Sequence, residues 1–209
     1  MCDFSSFPHW LVELFGICGT WFEVVAGGGR MSAPGRVLID RRRIAGRVDA
    51  MASEIEREYR GGRDAVLFVP VLDGALLFAA DLIRRLSLPL QLAGLAASSY
   101  PGAATSSTGQ VELGLFREDV QGRRVLLLDD ILDTGQTLAT VKEALRQRGA
   151  IEVRSAVLLR KQRQNPPVVE ADFVGFEVPD CFVIGYGLDH DGRYRELPDV
   201  RVLDQETLG

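Results

Sequence analysis

Cysteine and histidine are scarce in this 209-residue chain, and basic residues are fewer than acidic ones. The three cysteines, Cys2, Cys18 and Cys181, are odd in number and far apart, so they match neither a disulfide framework nor a metal-binding pattern. This use of cysteine indicates a reducing compartment, and we expect a cytoplasmic location. The net charge is -5, with 24 Lys and Arg against 29 Asp and Glu. Because nucleic acids bind mainly through neutralisation of their phosphates, we expect no nucleic-acid partner.

Long uninterrupted hydrophobic runs are also missing. The most apolar stretch near the N-terminus, Leu11–Val25, is broken by two glutamates and two glycines, so we expect no membrane association. Asp3 and Glu13 stand where a secretory signal needs positive charge. Met31 begins what looks like an ordinary protein start. We therefore predict that residues 1–30 are an N-terminal extension outside the fold, the alternative being an added helix on the surface.

The chain does contain a regular alternation of strand and helix patterns. Asp40 is a possible cap for a helix whose apolar face runs from Ile44 to Ile55. Further strands are predicted over Ala65–Val71, Leu88–Leu95, Arg124–Asp130 and Val153–Leu159, and further helices over Ala75–Leu86 and Thr137–Gln147. This alternation predicts an α/β fold, in which helices flank a Rossmann-like, twisted parallel sheet.

Two other regions depart from this alternation. The stretch Ser98–Gln110 is rich in Ser, Thr, Gly and Ala and predicts a long loop, and Val111–Leu115 is a possible strand after it. After Lys161 the pattern changes to loops and short strands, including Phe173–Phe176. We expect this last region, mainly residues 162–209, to form a small cap over one edge of the domain.

One strand–loop–helix segment carries most of the chemical information. An apolar strand ends in two carboxylates, and a short Asp-Thr-Gly-Gln-Thr loop leads into a helix. Free backbone N–H groups at a helix start bind phosphate, the threonines add hydroxyl donors, and the glycine permits close approach. The carboxylates are placed to accept hydrogen bonds from sugar hydroxyls, so the segment fits a ribose 5-phosphate. The alternative is a solvated strand end before an ordinary helix cap. The site residues predicted in this segment are Asp129, Asp130, Asp133, Thr134, Gly135, Gln136 and Thr137.

This segment resembles the phosphoribosyl-pyrophosphate-binding motif of type I phosphoribosyltransferases. From Val37 to Leu203 the chain is similar to the hypoxanthine-guanine phosphoribosyltransferase family. The resemblance implies purine salvage with Mg²⁺ as cofactor. The enzyme would transfer the phosphoribosyl group from phosphoribosyl pyrophosphate to N9 of a 6-oxopurine, giving IMP or GMP and pyrophosphate. It also implies a phosphoribosyltransferase domain over residues 31–209 with a C-terminal hood, and a homodimer or homotetramer.

The resemblance also assigns roles to single residues. Val71–Phe78 resembles the family's pyrophosphate-binding loop, where an unusual cis peptide exposes a backbone N–H. Asp73 stands where many members carry Lys, so the sequence does not support a side-chain contact to pyrophosphate at this position. It does support binding by the backbone N–H beside Gly74. By the same resemblance, Asp133 would act as the general base that receives the purine N7 proton. Arg195 would hold pyrophosphate.

Recognition of the purine is implied by the same similarity. Lys161 would donate to the purine 6-oxo group, Phe182 would stack on the ring, and the Val183 backbone would face its Watson–Crick edge. The purine-binding residues implied are thus Lys161, Phe182, Val183 and Asp189. Those implied for the metal are Asp189, Asp129 and Asp130, and those of the closing loop are Ser99 and Tyr100. We expect His190 to be exposed and not catalytic.

Two other functions remain open from the sequence. One is a phosphoribosyltransferase for a different base, xanthine or uracil. The other is an RNA-binding regulator on the same fold, similar to the pyrimidine attenuation protein. The acidic charge balance counts against the regulator, as does a carboxylate at Asp133, because a pyrimidine has no N7 proton to remove.

Overall fold

The computed structural model describes residues 35–62, 64–96 and 116–203. These residues belong to one structural unit, Pro34–Gly209. The predicted extension 1–30, the predicted loop Ser98–Gln110 and the possible strand Val111–Leu115 lie outside the described residues. The described elements, in chain order, are β1 Arg36–Ile39, α1 Arg41–Glu58, β2 Val66–Leu72, α2 Leu76–Ile83, β3 Leu90–Leu92, β4 Leu95–Ala96, β5 Arg124–Leu132, α3 Gln136–Gln147, β6 Glu152–Gln162, β7 Phe173–Pro179, β8 Val183–Ile184 and β9 Val200–Val202.

The larger sheet is parallel and has the strand order β3-β2-β5-β6-β7, with β4 paired to the other end of β2. The central strands are near-continuous apolar runs because helices cover both faces of the sheet. The predicted Rossmann-like α/β fold is therefore confirmed. The predicted strand Leu88–Leu95 is instead two short strands, β3 and β4, which both pair with β2.

Alternate side chains of β5 enter two separate cores. Leu126 and Leu128 pack on one face with α1, α2 and part of the small sheet. Val125 and Leu127 pack on the other face with α3. All four side chains are fully buried, and each contributes about 1.5–3 kcal/mol by leaving water. This burial fixes β5 at the centre of the sheet, and with it the position of the carboxylates at its end.

The helices match their predicted starts and ends to within a few residues. The side chain of Asp40 accepts hydrogen bonds from the backbone N–H groups of Arg42 and Arg43, at 2.9 and 3.1 Å, so the predicted cap of α1 is confirmed. The α2 helix is shorter than predicted because it ends at Ile83. No helix in the described parts of the chain combines the length and the apolar character needed to cross a membrane.

A second, antiparallel sheet of three strands forms the hood, in the order β1-β9-β8. Two details of the predicted hood are wrong. The strand β7, with Phe173–Phe176, is an edge strand of the large parallel sheet, where it pairs with β6. The strand β1, which lies far outside residues 162–209, supplies one edge of the hood because its backbone pairs with β9.

Candidate active site

The carboxyl end of β5, the loop after it and the start of α3 line a cavity of about 200 Å³. All seven residues predicted from this segment contribute to the lining, namely Asp129, Asp130, Asp133, Thr134, Gly135, Gln136 and Thr137. Ligands of open α/β sheets bind at this edge, outside the carboxyl ends of the strands. The structure thus gathers the seven residues predicted from this segment around a single cavity, whereas Asp73, Gly74 and Arg195, also predicted to bind phosphoribosyl pyrophosphate, do not line it.

The start of α3 depends on Gly135. This residue has φ 79°, a left-handed conformation that glycine adopts without steric cost. A Cβ there would lie 3.1 Å from the carbonyl oxygen of Val169, so the glycine also permits close packing of a neighbouring segment. Backbone N–H of Val168 donates to the Thr134 carbonyl at 2.9 Å. The segment around Val168 therefore braces the outer side of the loop.

The two carboxylates at the end of β5 differ in exposure. Asp129 is only 9% exposed and its carboxylate accepts the backbone N–H of Asp130 at 3.0 Å. Burial raises the pKa of both carboxyls, and the neighbouring charge of Asp130 raises that of Asp129 further. Asp130 is the more accessible of the two, and it faces Gly74.

The predicted pyrophosphate loop meets both β5 and the hood. The peptide bond Leu72–Asp73 is cis, which confirms the unusual peptide expected there. A Cβ on Gly74 would lie 1.9 Å from a carboxylate oxygen of Asp130, and a Cβ on Gly187 would lie 2.2 Å from the Gly74 carbonyl. Both glycines are thus needed for close approach of three chain segments. The sequence analysis did not identify Gly187, whose only mark in the sequence is the Gly-Tyr-Gly turn.

A four-charge cluster lies at the carboxyl end of β6. Lys161 Nζ is 2.9 Å from Asp133 Oδ2, and Arg163 donates to Oδ1 of the same carboxylate. Asp180 is a weaker partner of both cations, at 3.8 Å from Lys161 and 3.7 Å from Arg163. Partial burial by itself would raise the pKa of Asp133, but hydrogen bonds and charge from Lys161 and Arg163 outweigh it and hold that pKa below its usual value.

Only half of this cluster was predicted. Asp133 and Lys161 were singled out, whereas Arg163 and Asp180 were missed. The available signal for Arg163 was its spacing, because side chains two residues apart at a strand end point to the same side. No sequence pattern marks Asp180, which follows β7 and reaches the cluster through the pairing of β7 with β6.

Phe182 lies at the rim of the site and is 45% exposed, a large value for a phenylalanine. Its ring meets that of His190 edge-on, with 5.4 Å between ring centroids and 80° between planes. His190 is exposed only in part, at 31% of its side chain, because it packs on Phe182. Val183 is buried in β8, where its backbone pairs with Val202 of β9.

Asp189 and Arg195 form an ion pair at the hood side of the site, with 2.8 Å between Oδ1 and the guanidinium. The other oxygen of Asp189 accepts the backbone N–H of Gly192 at 2.8 Å. Arg195 also donates to the carbonyl of Gly187 at 2.5 Å, which holds it beside the pyrophosphate loop. Positive charge on Arg195 opposes the effect of burial on the pKa of Asp130, so the two groups are within electrostatic reach. The predicted loop residues Ser99 and Tyr100 lie outside the described residues.

Comparisons with known proteins agree with this geometry. A family model described as a phosphoribosyl transferase domain matches residues 38–191. The hypoxanthine-guanine phosphoribosyltransferase of Bacillus subtilis is 41% identical over 169 residues, which are 80% of this chain and 92% of the relative. That of Dictyostelium discoideum is 37% identical over 174 residues, 81% of this chain and 96% of the relative.

Solved structures show the same similarity. A Trypanosoma cruzi hypoxanthine phosphoribosyl transferase superposes with a TM-score of 0.76 and 34% identity, and the match covers 86% of this chain and 97% of the other. A variant of the T. cruzi enzyme complexed with the product IMP has a TM-score of 0.76 and 33% identity, with the same coverage of both chains.

Proposed function

Because the chain belongs to the hypoxanthine-guanine phosphoribosyltransferase family, we propose that the cavity at the end of β5 binds phosphoribosyl pyrophosphate while Lys161 and Asp133 hold the purine beside it. The activity is purine salvage, the transfer of a phosphoribosyl group to hypoxanthine or guanine.

The distance of 2.9 Å between Lys161 Nζ and Asp133 Oδ2 is the observation that carries this proposal. A 6-oxopurine presents O6, an acceptor, beside N7–H, a donor. An ammonium group next to a carboxylate offers the complementary pair, because Lys only donates and an ionised Asp only accepts. As N9 attacks the sugar, N7 loses its proton, and Asp133 is placed to receive it as general base.

The phosphoribosyl half of the substrate fits the remaining groups. Backbone N–H groups and hydroxyls at the start of α3 suit the 5-phosphate, and Asp130 suits the ribose hydroxyls. Pyrophosphate would lie between the backbone at Gly74 and the guanidinium of Arg195. The reaction breaks a C–O bond and forms a C–N bond at the anomeric carbon, through an oxocarbenium-like state as in other glycosyl transfers.

Mg²⁺ is the cofactor we propose, and the carboxylates differ in how well they fit it. Asp189 and Asp130 are partly exposed, although both oxygens of Asp189 already have partners in Arg195 and the Gly192 N–H. Asp129 is buried, and its carboxylate accepts the backbone N–H of Asp130, so it fits the ion poorly. The described residues contain no group of three potential metal ligands. That suits Mg²⁺, which keeps several waters and takes substrate phosphates as ligands. When bound, the ion neutralises charge that develops on the leaving pyrophosphate.

We also propose a cytoplasmic location and a homodimer or homotetramer. Leu76 and Leu77 on α2 are 51% and 37% exposed, and an interface between subunits would cover such side chains. Light scattering coupled to size-exclusion chromatography measures the mass directly, and a monomer at all concentrations would refute the oligomer.

A single assay tests the proposed activity. Purified protein is incubated with phosphoribosyl pyrophosphate, Mg²⁺ and, in turn, hypoxanthine, guanine, xanthine, adenine or uracil, and pyrophosphate release is followed. We expect release with hypoxanthine and guanine that depends on both the base and the metal. Release only with uracil or xanthine would favour the alternative salvage enzymes. No release with any base, together with RNA binding at low salt, would favour the regulator.

A further inference from the structure

The proposed reaction assigns no role to two charged groups of the four-charge cluster, Arg163 and Asp180. The guanidinium of Arg163 donates to Oδ1 of Asp133 while Lys161 donates to Oδ2, so each oxygen of the proposed general base already has a cationic partner. The two cations differ in exposure. The side chain of Lys161 is 14% exposed and that of Arg163 is 37% exposed.

A second acceptor stands beside Arg163. Nε of Arg163 is 3.7 Å from Oδ2 of Asp180, a carboxylate that lies two residues before Phe182 in the purine-binding turn. Lys161 is 3.8 Å from the other oxygen of Asp180. The cluster is therefore two cations and two carboxylates in alternation, and its net charge stays zero if Arg163 moves its hydrogen bond from Asp133 to Asp180.

We propose that Arg163 is a positioning residue that competes with the purine for Asp133, and that Asp180 accepts Arg163 when the purine binds. This inference rests on the proposed function, because it requires Asp133 to meet the purine N7–H. In the substrate-free enzyme Arg163 holds the carboxylate of Asp133. In the complex N7–H takes the place of Arg163, while Asp180 keeps the displaced guanidinium paired.

Donor chemistry explains why Arg163, and not Lys161, is displaced. An ammonium group has three protons, so Lys161 can keep its bond to Asp133 and still donate to O6 of the purine. Arg163 is assigned no acceptor on the purine, so it gains no second bond by remaining at Asp133 when N7–H competes for Oδ1. Its greater exposure also means that moving it costs less desolvation than moving Lys161.

Four variants test the exchange by steady-state kinetics, in which hypoxanthine is varied at saturating phosphoribosyl pyrophosphate and phosphoribosyl pyrophosphate is varied at saturating hypoxanthine. Since the Arg163 pair is partly exposed, its loss in Arg163→Gln should lower KM for hypoxanthine by about two- to fivefold, with KM for phosphoribosyl pyrophosphate unchanged. Asp180→Asn removes the negative charge that would hold the displaced guanidinium and should raise KM for hypoxanthine by a similar factor. In the double variant the effect of Asp180→Asn should disappear, because no arginine remains to be accepted. Arg163→Lys keeps a cation and should restore behaviour close to wild type.

Arg160→Gln is the matched control. Arg160 lies in β6, three residues before Arg163, and is 34% exposed. It pairs with two carboxylates, Glu170 and Glu177, and among the described residues it forms no ion pair with Asp133. Its loss should leave both KM values unchanged. Equal effects of Arg160→Gln and Arg163→Gln would mean that a general change of stability or charge is responsible, and would overturn the proposal.

Equilibrium binding separates affinity from chemistry. 9-Deazahypoxanthine keeps an N7–H but has carbon at position 9, so it cannot form the N-glycosidic bond. Titrated by calorimetry in the presence of phosphoribosyl pyrophosphate and Mg²⁺, it should bind Arg163→Gln more tightly than wild type by the factor seen in KM. Unchanged or weaker binding to Arg163→Gln, or an Asp180→Asn effect that persists without Arg163, refutes the exchange. If wild type neither binds this analogue nor uses hypoxanthine, the proposed function itself has failed.

Discussion

The helix α3, which begins directly after Gly135, is tied to the sheet by a buried lysine. Lys142 is 5% exposed, and its Nζ lies 2.8 Å from Asp172 Oδ2 and 3.0 Å from the hydroxyl of Ser155. Asp172 also accepts the backbone N–H of Ser155 at 2.8 Å. Burial by itself would raise the pKa of Asp172, but the hydrogen bond and charge of Lys142 outweigh it and lower that pKa. We predict that Lys142→Met destabilises the protein.

The size of the effect follows from burial. Removing one partner of a fully buried ion pair costs ~3–5 kcal/mol, because the remaining charge is left uncompensated. Asp172 is 32% exposed and keeps its hydrogen bonds to Ser155, so solvent and Ser155 compensate part of the loss. We expect a decrease of about 2–3 kcal/mol in the free energy of unfolding, which corresponds to a fall of roughly 4–12 °C in Tm for a domain of this size.

Urea denaturation at pH 7 measures this difference, and its dependence on pH tests the ionic origin. The folded pKa of Asp172 lies below the unfolded value of about 3.9, so the pair stabilises fully above that value and loses its effect as pH falls through the folded pKa. The difference between wild type and Lys142→Met should therefore shrink below about pH 4. Arg146→Met is the control on the same helix, because Arg146 is 53% exposed and its ion pair with Glu143 is long, at 4.0 Å. A loss of less than about 1 kcal/mol for Lys142→Met at pH 7, or one equal to the control, would refute the reasoning.

Four further changes have expected outcomes. Asp133→Asn should lower kcat by ~10²–10⁴-fold with little effect on phosphoribosyl pyrophosphate binding, and an unchanged kcat would remove Asp133 as the base. Lys161→Ala should raise KM for hypoxanthine by about ten- to a hundredfold. The wild-type enzyme should reject adenine by ~10⁴-fold, because the 6-amino group of adenine would face the lysine donor. Turnover of adenine comparable to that of hypoxanthine would contradict this role of Lys161. Gly74→Ala puts a Cβ onto Asp130 and should raise KM for phosphoribosyl pyrophosphate by about tenfold, so an unaffected KM would argue against ribose binding there. Deletion of residues 1–30 should leave activity and Tm nearly unchanged, and a large loss of either would show that the segment belongs to the fold.

Local patterns in the sequence determined the central part of this protein. The apolar run of β5 and the polar residues directly after it predict a buried parallel strand with a ligand site at its end, and the structure has the buried strand with a cavity at its end. The reason is that burial of a central strand and hydrogen bonding at a helix start depend on residues close together in the chain. The cap at Asp40 is predictable for the same reason. The cis peptide before Asp73 and the role expected for Lys161 came from family resemblance, which periodicity and composition do not supply.

The tertiary structure alone decided which distant segments meet. Pairing of β1 with β9 places an N-terminal strand in the hood, and no local pattern specifies a partner more than 150 residues away. Pairing of β7 with β6 moves Phe173–Phe176 out of the hood and brings Asp180 near Lys161 and Arg163. Lys142 looks like a solvated helix residue in the sequence and is buried only because Asp172 reaches it from the start of another strand. Arg163 and Asp133 are thirty residues apart in the chain, and they meet because β5 and β6 are paired neighbours in the sheet. The register of that pairing is set by backbone hydrogen bonds between the strands, which side-chain patterns do not encode.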